Sequence, residues 1–157
     1  MTRVCLVGSE ECDIRSALFS RETARDALST YRLDQLYANT LSLETISLGA
    51  AVSLLNDLNW YLIRYTDAAM ILESSISESE WLSRNLANAI RDGEIDPEES
   101  DRYLMVYGVA DAEIENQHQR LIEPMFVTRT GETLPEYDLR DVHDTLVVRI
   151  TDEEFGN

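Results

Sequence analysis

Residues 4–12 read VCLVGSEEC: an apolar run, one glycine, then two acids and a cysteine. In many α/β proteins a buried strand that ends this way opens onto a helix N-terminus that binds phosphate. The residues needed for that chemistry are missing. A dinucleotide site needs G-x-G-x-x-G, and Gly8 stands alone; a P-loop needs a lysine, and the chain has none. Glu10, Glu11 and Asp13 put carboxylates where a phosphate would sit, and they complement the helix dipole themselves. The segment reads as a capped helix start, and no nucleotide or other cofactor is expected.

Cys12 would share that helix N-terminus, where the dipole lowers a thiol pKa and the neighbouring acids oppose it. It reads as a small apolar residue, and Cys5, inside the strand, as core. Glu115-x-x-His118 has the spacing used on helices for carboxylate-bridged metals, but such a site needs a second pair from another helix. Asp141 and His143 lie two apart, on one face of an extended segment. Each histidine reads as bonded to a nearby acid, and no metal site is expected. G-x-S-x-G and H-E-x-x-H are absent. No catalytic residue is therefore assigned. An enzyme or ligand-binding domain with an unlabelled pocket would draw on Cys12, His118, His143 and Arg64, and whether these meet in space stays open.

The elements that must position these residues mix strands and helices without a βαβ rhythm. Residues 3–8 predict a strand buried on both faces, because the apolar run does not alternate. Helix follows over 13–31, with Ser20 capping a second segment that carries Ala24, Ala27, Leu28 and Tyr31 on one face. Residues 41–48 read as strand ended by Gly49, then a short apolar helix. WYLIRYT (60–66) reads as the strongest strand, turning at 67–69 into a second one, MILE. Ser77 and Glu80 form a capping box for a helix that stops at Gly93. Asp96-Pro97-Glu98-Glu99 predicts a helix N-terminus running to Gly108, with Tyr103, Leu104 and Tyr107 on one face. Residues 110–122 suggest a further helix carrying Ile114, His118, Leu121 and Ile122. MFVTR (125–129) and TLVVRI (145–150) close the fold as strands around a turn at Gly131. The expected class is α+β: one domain over 1–157, a mixed sheet of five or six strands, and helices packed on it.

Composition bounds the function. Thirty acids face thirteen bases, a net charge of −17, and every base is arginine. The acids run along the whole chain, so they coat a surface and form no tail. Concentrated salt is the solvent that suits such a coat, since at 1 M the Debye length is about 3 Å. A decoy of nucleic acid would need its acids in a double row on one face. Direct nucleic-acid binding is not expected, because phosphates repel the chain and no basic stripe occurs. The start MTRVCLVGSEEC lacks a long apolar region, and the longest apolar runs are too short for a membrane. A soluble cytoplasmic protein with no membrane partner is expected.

SLGAAVSLLNDLNWYLIR (47–64), EWLSR (80–84), DGEIDPEE (92–99), EPMFVTR (123–129) and YDLRDV (137–142) resemble a small acidic family of halophilic archaea, a domain of unknown function. Residues 110–120 look like an insertion in that pattern, so 110–121 is expected as an added helix or loop. The resemblance implies a salt-adapted cytoplasm and brings no activity, cofactor or site residue. The absence of chemical motifs favours a non-enzymatic interaction or regulatory domain with a protein partner. Trp60, Tyr61 and Tyr65, with Tyr103 and Tyr107, are either core or that partner's surface. A homodimer through TLVVRI is the weaker alternative to its pairing inside the sheet.

Folding should depend on salt. For a sphere of radius about 20 Å, a charge of −17 costs roughly 18 kcal/mol at 0.01 M salt and about 4 at 1 M. The expanded chain, at about 50 Å, costs roughly 5 and under 1. The difference, about 13 against about 3 kcal/mol, is as large as a typical net stability. Thermal melts followed by circular dichroism should show a melting temperature that rises from 0.05 M to 3 M KCl. A flat or falling value contradicts the salt-adapted reading.

Overall fold

The computed structural model describes residues 2–112, 114, 117–131, 133–139, 141–142 and 144–156. Strand β1 (Thr2–Gly8) is buried on both faces, with Val4 and Leu6 to one side and Cys5 and Val7 to the other. It pairs antiparallel with β2 (Thr40–Thr45) and β3 (Thr66–Glu73). Helices α1 (Ile14–Phe19) and α2 (Glu22–Leu28) lead from β1 to β2, and α3 (Leu48–Asp57) and α4 (Asn59–Tyr65) from β2 to β3. Then come β4 (Trp81–Ser83), α5 (Arg84–Arg91), a 3-10 turn (Pro97–Glu99) and β5 (Tyr103–Ala110). After these follow β6 (Arg120–Thr128), β7 (Asp144–Ile150) and α6 (Asp152–Gly156). The protein is a single α+β domain around a seven-stranded mixed sheet, ordered β2-β1-β3-β4-β7-β5-β6. Among the described residues only β4 and β7 pair in parallel.

The sheet has two cores, one on each face. On the first, helices α1 to α5 lay Ile14, Leu18, Leu28, Leu55, Leu62 and Leu86 against Val4, Leu6 and Ile71. The second has no helical layer over most of its area; there the sheet folds back on itself. Cys5, Val7 and Met70 from the β1–β3 half pack with Tyr107, Leu146 and Val148 from the β5–β7 half, and Trp81 stands at the corner. The loop before β2 meets the start of β6, where the Ala38 N–H donates to the Gln119 carbonyl at 2.8 Å. Two strand groups thus close over a shared core. A strand of only three residues makes the corner, since β4 pairs β3 through Met70–Ser83 and β7 through Trp81–Val148.

A charged cluster reinforces that corner. Glu80, just before β4, accepts from Arg149 Nε on β7 at 2.8 Å and from Arg129 Nη2 beyond β6 at 2.7 Å. Arg149 also donates to the Ser100 hydroxyl at 3.1 Å. Burial pushes the Glu80 carboxyl up, but the two guanidinium hydrogen bonds outweigh it and hold the group below the usual range. Its contribution to stability is therefore present at neutral pH and fades as pH falls through the lowered pKa.

Several expectations are corrected. WYLIRY (60–65) lies in helix α4, not strand: Leu58, Tyr61, Leu62 and Tyr65 follow the helical spacing and face the first core. MILE belongs to β3, which starts at Thr66 with no turn at 67–69. Ser20 closes α1 instead of opening α2, whose N-cap is Arg21 with no side-chain bond. Gly49 lies inside α3, which Ser47 caps by accepting from the Ala50 N–H at 3.1 Å. The Ser77 hydroxyl does accept from the Glu80 N–H at 3.0 Å, but β4 follows, and Ser83 caps α5. That helix ends before Gly93, whose φ is +77. Pro97 opens one 3-10 turn; Tyr103 and Tyr107 lie on strand β5, one face of it still, with Leu104 on the opposite face. The described residues of 110–122 are strand or loop, with Leu121 and Ile122 in β6. TLVVRI, by contrast, pairs inside the sheet as expected: β7 lies between β4 and β5, pairing β4 through Val148 and Arg149 and β5 along its length.

Candidate functional site

The turn after β1 spends its donors on the protein itself. Its organiser is Asn39, one residue before β2, which holds the left-handed conformation (φ 53) that asparagine tolerates. Asn39 Nδ2 donates to the carbonyls of Ser9 and Cys12, each at 2.9 Å, and Oδ1 accepts from the Ile14 N–H at 2.9 Å. The Gly8 N–H donates to the Asn39 carbonyl and the Ser9 N–H to the Tyr65 carbonyl, both at 2.9 Å. Asp13 caps α1 by accepting from the Ser16 N–H at 3.1 Å. Gly8 is needed here for close approach: a Cβ on it would lie 2.6 Å from Asn39 Nδ2. The glycine thus makes room for an internal amide.

Among the described residues, no hydrogen bond joins Cys12 to His118. Cys12 Sγ donates to the Tyr65 carbonyl at 3.2 Å and accepts from the Ser9 hydroxyl at 3.3 Å. Burial pushes the Cys5 thiol up to about 12, which keeps it protonated in the second core. His118 is exposed in the loop between β5 and β6. Glu115 and His143 lie outside the described residues, so the pairs Glu115–His118 and Asp141–His143 do too. Among the described residues no three of His, Cys, Asp and Glu converge as metal ligands. Likewise, none of the described helices is long and apolar enough to cross a membrane.

Arg64, the remaining candidate, lies on the outer face of α4. Its guanidinium stacks on the Trp60 ring at 3.8 Å and donates to the Trp60 carbonyl at 2.9 Å. Arg21, at the start of α2, reaches the same ring at 5.6 Å. Beside it Arg15 lies over Phe19, also at 5.6 Å. None of these three arginines makes an ion pair with a described carboxylate. Trp60 is 45% exposed and Ile63, one turn on, 69%. Tyr61 and Tyr65 turn inward and support the indole edge-on, at 5.1 and 6.3 Å. Of the aromatic cluster in 60–65, one member is surface and two are core.

A second concave feature lies where the sheet folds back. A cleft of about 670 Å³ runs between the ends of β1 and β3 on one side and β5 and β6 on the other. Val7, Leu121, Ile122 and Pro124 give it apolar walls; Glu10, Asp67, Tyr107, Asn39, Arg120 and Glu123 give it polar ones. Burial raises the Asp67 carboxyl, with the charge of Glu10 adding to it. Burial, then the charge of Asp67, pushes the Tyr107 phenol up to about 12, so it stays neutral. The sequence hid this site because Tyr107 and Asp67 stood in segments read as helix and turn. The available signal was Asn39, an asparagine directly before a strand and suited to a left-handed φ.

Fold and sites together describe a single-domain α+β protein whose mixed sheet closes on itself. The model of a family of unknown function, DUF5804, matches residues 2–109, and the chain belongs to that family. The match ends within β5, so β6 and the centrally placed β7 lie beyond it. No curated protein and no solved structure is significantly similar to the chain.

The β1–α1 turn generates a direct prediction. Titration of ATP or NAD in molar KCl, followed by calorimetry, should give no saturable heat. A dissociation constant tighter than about 10 μM, roughly −7 kcal/mol, contradicts the reading of the turn as a closed cap.

Proposed function

We propose that this protein is a non-enzymatic interaction domain of a salt-rich cytoplasm, docking an acidic segment of a partner protein on the outer face of α4. The observation that carries the reading is the Arg21–Trp60–Arg64 stack beside exposed Ile63. In a chain of net charge −17, arginines have a surplus of carboxylates to pair with. These instead sit on an indole, with their outer N–H groups available. Guanidinium stacked on an aromatic ring keeps its planar fork for a carboxylate. Trp60 and Ile63 supply the apolar contact that binding hot spots need, and Trp and Arg are the residue types enriched there. Concentrated salt screens the acidic surface around the patch, so apolar and short-range contacts become the main source of affinity.

A small enzyme or ligand-binding domain is the second reading, and the cleft beside Tyr107 is what favours it.

Affinity capture from a salt-rich cell extract, at molar KCl, tests the interaction reading. The wild-type domain should retain a stoichiometric partner whose contact segment carries Asp or Glu beside apolar residues. Trp60→Ala and Ile63→Glu should each weaken that complex about 30-fold or more, the loss of about 2 kcal/mol expected for a hot spot. Both variants should keep the wild-type melting temperature within a few degrees, since exposed positions contribute little to folding. Equal capture by wild type and both variants removes the α4 face from the account.

A further inference from the structure

The cleft between the two halves of the sheet holds a polar group that the fold itself leaves unused. Tyr107 is 6% exposed, its ring packed in the second core. A buried phenol normally finds a hydrogen-bond partner. The Tyr107 hydroxyl has none among the described residues, and its oxygen opens on the cleft. The nearby Asp67 and Glu10 carboxylates are likewise without hydrogen bonds or ion pairs to described residues. Arg120 borders the cleft, but its Nε is turned to the Asp111 carbonyl at 3.3 Å.

We infer that this cleft binds a primary organic amine, its ammonium held by the Tyr107 oxygen and the Asp67 carboxylate and its aliphatic body lying along Val7, Leu121 and Ile122. The chemistry selects this class over its rivals. An anion would meet two carboxylates at close range. A neutral ligand would leave those carboxylates uncompensated and their desolvation unrepaid. A divalent metal would need more ligands than two carboxylates and a neutral phenol, and would have no use for the apolar wall. An ammonium has three N–H donors and no acceptor, which matches the acceptor oxygens of Tyr107, Asp67 and Glu10 on the side of the cleft away from Arg120's contact with Asp111. The volume, about 670 Å³, lies inside the range of small-molecule sites, about 300–1,000 Å³, and leaves room for a chain of several carbons. The site is separate from the α4 face and does not depend on it.

Hexylammonium chloride and 1-hexanol, titrated separately into the whole protein in molar KCl and followed by amide chemical shifts, test the inference. The amine should bind saturably at about 1 mM or tighter, roughly −4 kcal/mol, with shifts centred on β1, β5 and β6. The alcohol, of the same shape without the charge, should bind at least tenfold more weakly. Tyr107→Phe keeps the buried ring and removes only the hydroxyl. It should weaken the amine about fivefold, the factor expected for one hydrogen bond. Asp67→Asn, at an exposed position that leaves the core intact, should weaken it at least as much and keeps the test valid if the tyrosine variant misfolds. Absence of saturable binding overturns the inference. So does equal binding of the alcohol, or amine binding unchanged in Asp67→Asn.

Discussion

A three-residue strand carries the connection on which this architecture depends. Three antiparallel strands lie on one side of β4 and three on the other. With so few ladder hydrogen bonds at the joint, backbone pairing alone would be a weak hinge. Side chains complete it from both faces. Trp81 is 5% exposed at the corner of the second core, and Leu82 is buried on the helix side. Glu80 then takes one arginine from β7 and one from just beyond β6, so a single carboxylate touches two segments of the far half. Breaking such a cluster leaves two guanidiniums under-compensated, which is costlier than losing an exposed pair. The same fold-back creates the second core and the cleft at its open end. The site near Tyr107 is thus a by-product of the way the sheet closes.

Charge is handled differently in different parts of the molecule. Where arginine is mostly buried, as at Arg129 and Arg149, it pairs with a carboxylate. Where it is exposed on α1, α2 and α4, it stacks on Phe19 and Trp60. Arginine supports both arrangements because its guanidinium is planar and weakly hydrated, whereas an ammonium is a compact, strongly hydrated charge. That difference gives a physical account of a chain with thirteen arginines and no lysine. In concentrated salt, long-range attraction is screened, and contacts that depend on stacking and bidentate geometry persist.

Much of the fold was legible where period and composition agreed. β1, the buried face of α2 with Ala24 and Leu28, the Gly93 stop and the two closing strands follow directly from apolar spacing and glycine chemistry. The misreadings fall where the two disagree. In 60–66, aromatic and branched residues favour strand, while the spacing Leu58, Tyr61, Leu62, Tyr65 favours helix; packing on the first core decided for the spacing. After Pro97 the helix-start chemistry was real, and it was satisfied in one turn. Tyr103 and Tyr107 share a face in either state, because a spacing of four suits both periods, so their common burial was readable and their element was not. The seventh strand, β4, is too short to show a period at all. Of the sites, the helix start after Gly8 was readable from its acids, and Asp13 is the cap of α1. The cleft was not, since it joins residues about a hundred positions apart through a corner that no local pattern marks.

Native-state hydrogen exchange of the slowest amides, measured in molar KCl on the wild type and on Glu80→Gln, tests the closure most directly. If the corner makes the sheet one cooperative unit, the core amides of β1 and β3 and those of β5 and β7 exchange with the same opening free energy. Glu80→Gln should then lower both by an equal amount, about 3 kcal/mol for a mostly buried pair broken on one side. Unequal protection of the two halves in the wild type, or a loss in the variant confined to β5–β7, would mean that they open separately and that the corner does not hold the fold together.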